Sequence, residues 1–143
     1  MSWLAILNVV ALVAVGTLVL LFLRMRTRDQ LEAIAVKRRP ESRIAERADF
    51  VDGHTHFPVV LSLTDKAIFY ENMDLAAQID LERIEEVEYT DELTMGGDTN
   101  GRVLRLRSHG HTFEFVLTEA SAARWGEMLP KHLYNDPGKV HTV

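Results

Sequence analysis

Residues 102–117, RVLRLRSHGHTFEFVL, alternate apolar and polar side chains on either side of a short polar turn. Val103, Leu104 and Leu106 stand among Arg102, Arg105 and Arg107, and Phe113, Phe115 and Leu117 form the apolar series of the returning half. A period of two places alternate residues on one face, which is the pattern of a half-buried strand. Ser108-His109-Gly110-His111 supplies the turn, so the stretch reads as an antiparallel hairpin. The arginine row is either an anion or partner patch, or a solvated face paired with nearby carboxylates. The many Glu and Asp residues around it favour the second.

Upstream, PVVLSL (58–63) and AIFYE (67–71) flank Thr64-Asp65-Lys66 and read as two more strands. In the first, Val59, Leu61 and Leu63 form one apolar face. AAQIDL (76–81) gives a third strand and residues 83–89 a fourth, with Ile84, Val87 and Tyr89 among acidic neighbours. DELTMGGDTNG (91–101) reads as a loop, because its glycines and Asn100-Gly101 suit positive φ. An additional first strand is placed at Phe50–His54. Downstream, Thr118 is an N-cap for a helix from Glu119 to about Leu133, with Glu119 complementing the helix dipole. Ala122, Trp125, Met128, Leu129 and Leu133 recur at helical steps, and Pro130 ends or kinks the helix. Residues 135–143 read as a tail.

The elements carry a resemblance. Leu61, Leu63, Thr64, Ile68, Phe69 and Tyr70, then Ile79, Leu81, Ile84 and Val87, then Phe113 to Leu117 and Trp125 follow a familiar order. That order resembles the pleckstrin-homology (PH) superfold, nearest to its bacterial PH-like or GRAM-like type, over residues 50–134. The resemblance implies a bent, nearly closed antiparallel barrel of six or seven strands. A C-terminal helix would plug one end, with Trp125, Phe113 and Phe115 as the core of that plug. It also implies binding of phosphoinositides, peptides or proteins, in a family that rarely does chemistry itself. Lipid-binding members resemble one another in a basic cluster at the first hairpin. Here that turn holds one Lys beside one Asp, Lys66 and Asp65.

The N-terminal part is organised differently. Trp3 to Leu23, WLAILNVVALVAVGTLVLLFL, carries no charge. As a helix it reaches roughly 30 Å, the thickness of a bilayer's hydrocarbon core. A cleaved secretory signal has a basic n-region and a shorter apolar core. Nothing basic precedes Trp3, so an uncleaved anchor is expected, with Trp3 at the headgroup level. Arg24, Arg26 and Arg28 follow the apolar run, which puts the N-terminus outside and the rest in the cytoplasm, at the cell membrane. Asn8 is read as a tolerated polar group near the outer interface; the alternative is a hydrogen bond to another spanning helix. The expected organisation is an anchor (1–23), a basic juxtamembrane helix or linker (24–48), a PH-like domain (49–134) and a tail (135–143). Within the second part the helix is expected to break near Arg39 ahead of Pro40, with a further helical turn from Glu41 to Ala48.

Charge separates these parts. Residues 24–48 hold eight basic and four acidic side chains, a net of +4, whereas residues 49–143 hold eight and seventeen, a net of −9. An anionic leaflet repels such a domain, so headgroup binding by it is disfavoured. Lys37, Arg38 and Arg39 are read chiefly as a positive flank and secondarily as a lipid or partner patch. An acidic domain without a basic stripe interleaved with aromatics does not suit nucleic acid.

There is no cysteine, hence no disulfide, thiolate metal site or thiol nucleophile. No catalytic motif stands out, and Glu85 and Glu86, adjacent on a strand, are expected on opposite faces. His54-Thr55-His56 and His109-Gly110-His111 each place two imidazoles on one strand face, but zinc needs three or four ligands and nothing brings the pairs together. They are read as polar turn residues. No metal or cofactor is expected. The functional expectation is a non-catalytic accessory subunit that stabilises a larger membrane complex, with other integral membrane proteins as partners. The alternatives are a tethered adaptor for a soluble protein and, last, a metal-dependent role for the histidines.

Overall fold

The computed structural model describes residues 2–132, the side chain of Asp98 excepted. A long helix, α1 (Trp3–Arg38), leads into seven strands and a second helix. The strands are β1 (Ile44–Asp52), β2 (Thr55–Leu63), β3 (Ala67–Glu71), β4 (Ala76–Asp80), β5 (Ile84–Glu92), β6 (Asp98–Ser108) and β7 (His111–Leu117). The second helix is α2 (Glu119–Met128).

α1 runs unbroken for 36 residues. Its first 21 are those of the uncharged run, and they are exposed throughout, a surface long and apolar enough to cross a membrane. Ser2 caps the N-terminus, and the Thr17 hydroxyl donates to the Val13 carbonyl at 2.8 Å, so this polar side chain is satisfied within the helix. A 3-10 turn at Arg39–Glu41 contains Pro40 and ends the helix where the sequence anticipates it. Residues 41–48 are not a helical turn: β1 begins at Ile44 and pairs with β2 along its whole length. Ile44 and Ala48 face the core, so the β pairing prevails over local helical propensity.

All pairings are antiparallel, in the order β4-β3-β2-β1-β7-β6-β5. β1 joins the two halves, matching β2 from end to end but β7 only over Asp49–Val51. Beyond that short contact β1 and β7 diverge, and α2 packs against both. The sheet is therefore a curled half-barrel rather than a nearly closed one, and β4 and β5 remain its edges. Antiparallel hydrogen bonds between His132 and Val87, 2.6 and 2.9 Å, cover one point of the β5 edge. The architecture is compatible with a PH-like fold.

The concave face holds Leu61, Leu63, Ile68, Leu104, Leu106, Phe115 and Leu117, with Trp125 of α2 fully buried among them. Phe113 is half-buried at the margin of this cluster, packed against it beside Tyr70. α2 begins at Thr118, whose hydroxyl accepts from the Ser121 amide, and ends at Met128 rather than near Leu133. Leu129, before Pro130, leaves the helical region (φ −130°, ψ 84°), as the proline ring requires. Met128 is exposed, and Leu133 and the tail lie outside the described residues.

The 102–117 hairpin forms as expected. His109 and Gly110 have φ of 53° and 76°, the paired positive values of a two-residue turn that matches strand twist. The 91–101 loop is shorter than the sequence suggests, because β5 runs to Glu92 and β6 starts at Asp98. Asn100-Gly101 is strand, not turn. A Cβ on Gly101 would lie 2.0 Å from the Leu117 carbonyl oxygen, so glycine serves close backbone approach there.

Candidate functional site

The candidate functional feature is the joint between α1 and the sheet. Along β2, Val59, Leu61 and Leu63 face the core, yet Val60 and Ser62 on the other face are also fully buried. α1 covers them. Leu31 and Ala35, one turn apart, pack on Val60, with Ile34 beside them. Leu31 and Ala35 keep 2 % and 1 % of their surface, against 54 % for Val36 on the opposite side of the helix.

One residue further along that face, Arg38 locks the joint. Its Nε donates to Glu71 Oε1 at 2.6 Å and its Nη2 to Oε2 at 3.0 Å, a bidentate pair across 33 residues. Its Nη1 donates to Glu41 at 3.3 Å, and the guanidinium lies 4.2 Å above the Phe69 ring. Both charged side chains are largely covered, 23 % and 15 % exposed. The hydrogen bond to Glu71 raises the Arg38 pKa against the opposing effect of burial, so its charge is held. A planar fork that chelates a carboxylate while stacking on a ring suits arginine and not lysine.

The remaining basic residues behave differently from one another. Arg39 pairs with Glu32 at 3.0 Å in the open, where such a pair adds little. Lys37, Arg24, Arg26 and Arg28 are exposed on α1. Of the expected patch Lys37-Arg38-Arg39, the central residue is thus turned into the protein. Arg102, Arg105 and Arg107 are all paired: Arg102 with Asp91 at 2.7 Å, Arg105 with Glu88 and Glu114 at 3.3 and 3.2 Å, and Arg107 with Glu85 and Glu86 at 3.9 and 4.0 Å. A register shift between Ile84 and Glu86 brings both of these carboxylates towards Arg107, so they do not point to opposite faces. On the α2 side, Glu46 accepts hydrogen bonds from Ser121 and Arg124 and ties β1 to α2.

The histidine pairs do not meet. His54 and His56 belong to the β1–β2 hairpin, and His56 lines an open groove of ≈ 650 Å³ with Arg47, Asp49, Asn100 and Thr118. His109 and His111 border Gln78, Asp80 and Arg83 instead. Among the described residues no group of three His, Cys, Asp or Glu side chains is placed to hold a metal ion. Trp3 and Asn8 lie exposed on the apolar part of α1.

Sequence reading missed the joint, although its signals were present. Leu31, Ile34 and Ala35 form an apolar face on an otherwise charged stretch of helix, and Val60 and Ser62 are small and uncharged on the strand face opposite Val59, Leu61 and Leu63. What defines the class of this protein is a single long apolar helix fastened to a curled antiparallel β domain closed by a C-terminal helix. No protein-family model, curated protein or solved structure matches the chain.

Proposed function

We propose that this chain is a non-catalytic, single-pass membrane protein whose PH-like, GRAM-type domain serves as an accessory subunit stabilising a larger membrane protein complex. The observation that carries the reading is the joint. One unbroken helix runs from the apolar segment into the clamp formed by Leu31, Ala35, Val60 and Arg38–Glu71. The domain is therefore held in one pose relative to the apolar segment. A fixed pose favours a subunit that occupies a set place beside integral membrane proteins. A tethered adaptor gains from the opposite, a flexible linker that lets the domain search for soluble partners. Three arginines behind the apolar run and none before it support a cytoplasmic domain at the cell membrane with the N-terminus outside.

The test is the native size of the tagged full-length chain extracted from its own membranes in mild detergent. Elution far above a 16.2 kDa chain with its detergent, with companions in fixed ratio, is the expected result. Elution alone or as a small homo-oligomer would overturn the subunit reading in favour of the adaptor.

A further inference from the structure

α1 and β2 lie side by side and run in the same direction. Leu31 and Ala35 sit on Val60, Arg38 reaches Glu71 (opposite Val60) and Phe69 (opposite Ser62), and just past the helix the Arg43 amide donates to the Leu63 carbonyl at 2.7 Å. Followed backwards, both elements lead towards the same level. From Leu31 to Leu23, where the uncharged run ends, eight helical residues descend about 12 Å. From Val60 to Thr55, five strand residues descend about 17 Å. The pole of the half-barrel that carries the β1–β2 turn therefore reaches the depth at which the apolar segment of α1 ends.

That pole carries most of the domain's exposed large apolar side chains. Among the described residues outside α1, four large apolar side chains are exposed: Phe57 (40 %), Met73 (63 %), Met95 (56 %) and Met128 (45 %). The first three belong to this pole. Phe57 lies on the descending end of β2, stacked 6.4 Å from Phe50. Met73 sits in the β3–β4 turn, fixed at the level of Pro58 by the Asn72 side-chain amide donating to the Pro58 carbonyl at 3.1 Å. Met95 follows Thr94, whose amide donates to the Glu114 carboxylate at 3.1 Å; Glu114 is opposite Val51, and Val51 is opposite His56. The charged groups interspersed there are Asp52, Asp74 and Glu92, with the paired Arg105 and Glu114 behind Thr94 and with His54 and His56 in the same region, so among the described residues the pole has no cationic cluster for anionic headgroups.

We propose that the rim formed by Phe57, Met73 and Met95 rests in the interfacial layer of the same bilayer that α1 spans, making an apolar contact that does not depend on anionic lipid. This rests on the reading of α1 as a membrane span. Large apolar side chains on a turn can partition into the headgroup and upper acyl region, and here α1 has already brought them to that depth. The helix supplies the affinity and the rim fixes the tilt.

The chain has no cysteine, so single-cysteine labelling of the full-length protein is clean. Asp74→Cys reports the rim while keeping Phe57, Met73 and Met95, Asp65→Cys reports the β2–β3 turn at the opposite pole, and Val13→Cys reports the middle of the apolar segment. Each variant is labelled with a fluorophore and reconstituted in pure phosphatidylcholine vesicles containing lipids quencher-labelled at shallow or deep positions. Expected are deep quenching of the Val13 label and shallow quenching roughly threefold or more stronger for the Asp74 label than for the Asp65 label, with the difference abolished by Met73→Glu. Equal quenching at Asp74 and Asp65 with Val13 still deep would overturn the rim contact and leave the span intact. Rim quenching that appears only on adding phosphatidylserine would replace apolar contact with charge and also overturn it. A Val13 label out of reach of the deep quencher would remove the span and the proposal together.

Discussion

The Arg38 guanidinium chelates the Glu71 carboxylate with two hydrogen bonds, 2.6 and 3.0 Å, and so joins the last turn of α1 to the end of β3. Charged hydrogen bonds of this kind contribute about 1.5–3 kcal/mol, and removing one partner leaves the other covered and unpaired. Arg38→Ala is expected to loosen the joint by about 1–3 kcal/mol without unfolding the β domain. Arg38→Lys should recover only part of that, since a lysine cannot fork. Trypsin cleavage after the neighbouring Lys37 reads the opening directly. A cleavage rate unchanged in Arg38→Ala would show that the pair does not hold the helix down.

The joint also sets where the stable domain begins. Leu31, Ile34 and Ala35 cover Val60, which would otherwise meet water. A soluble fragment starting at Arg24 should exceed one starting at Glu41 in unfolding free energy by on the order of 2–4 kcal/mol, from burial of these apolar groups. Urea titration of the two fragments measures it. Equal midpoints and slopes would mean that α1 does not dock in the absence of the membrane.

Local pattern carried much of this architecture and contact at a distance carried the rest. The uncharged run, the 102–117 hairpin and the Trp125 helix are each legible because their periodicity is complete within about twenty residues. β1 is not. Residues 41–48 hold four charged side chains among few apolar ones, and they become a strand only because β2 lies alongside from Ile44↔Leu63 to Asp52↔Thr55. The arginines show the same limit. Arg38 sits in a basic triplet that looks like one patch, and only the tertiary placement of Glu71 and Phe69 separates it from Lys37 and Arg39. Asn100-Gly101 has the composition of a hairpin turn, and nothing local reveals that Leu117 passes against it.

That last contact gives a sharp prediction. With backbone 2.0 Å from where its Cβ would sit, Gly101→Ala must push β6 away from the β7–α2 junction. Overpacking of this sort costs about 1–3 kcal/mol, and more where the neighbour is backbone. Gly126, with nothing within 4 Å of its Cβ position and in the last turn of α2, provides the contrast. Gly126→Ala should stabilise by about 0.5–1 kcal/mol through helix propensity. Thermal melts of both variants, made in the Arg24 fragment, test the pair; Gly101→Ala melting as the parent would contradict the close approach.

Tyr89 fixes the far end of α2, where its hydroxyl donates to the Leu129 carbonyl at 2.7 Å. Burial raises the Tyr89 pKa well above the ordinary tyrosine value, because the phenolate would lose its water. In the unfolded chain the same phenol ionises near pH 10. The unfolded state therefore releases its proton first as pH rises, so the contribution of this group is whole below about pH 10 and declines as pH climbs from there towards the folded-state value. Tyr89→Phe removes both the hydrogen bond and the titration. It should lower stability by about 0.5–1.5 kcal/mol at neutral pH and make the loss between pH 10 and pH 11.5 about one proton shallower than in the parent. Urea midpoints across that window decide it. An identical alkaline slope in Tyr89→Phe would assign the titration to another group and place the Tyr89 hydroxyl in contact with water.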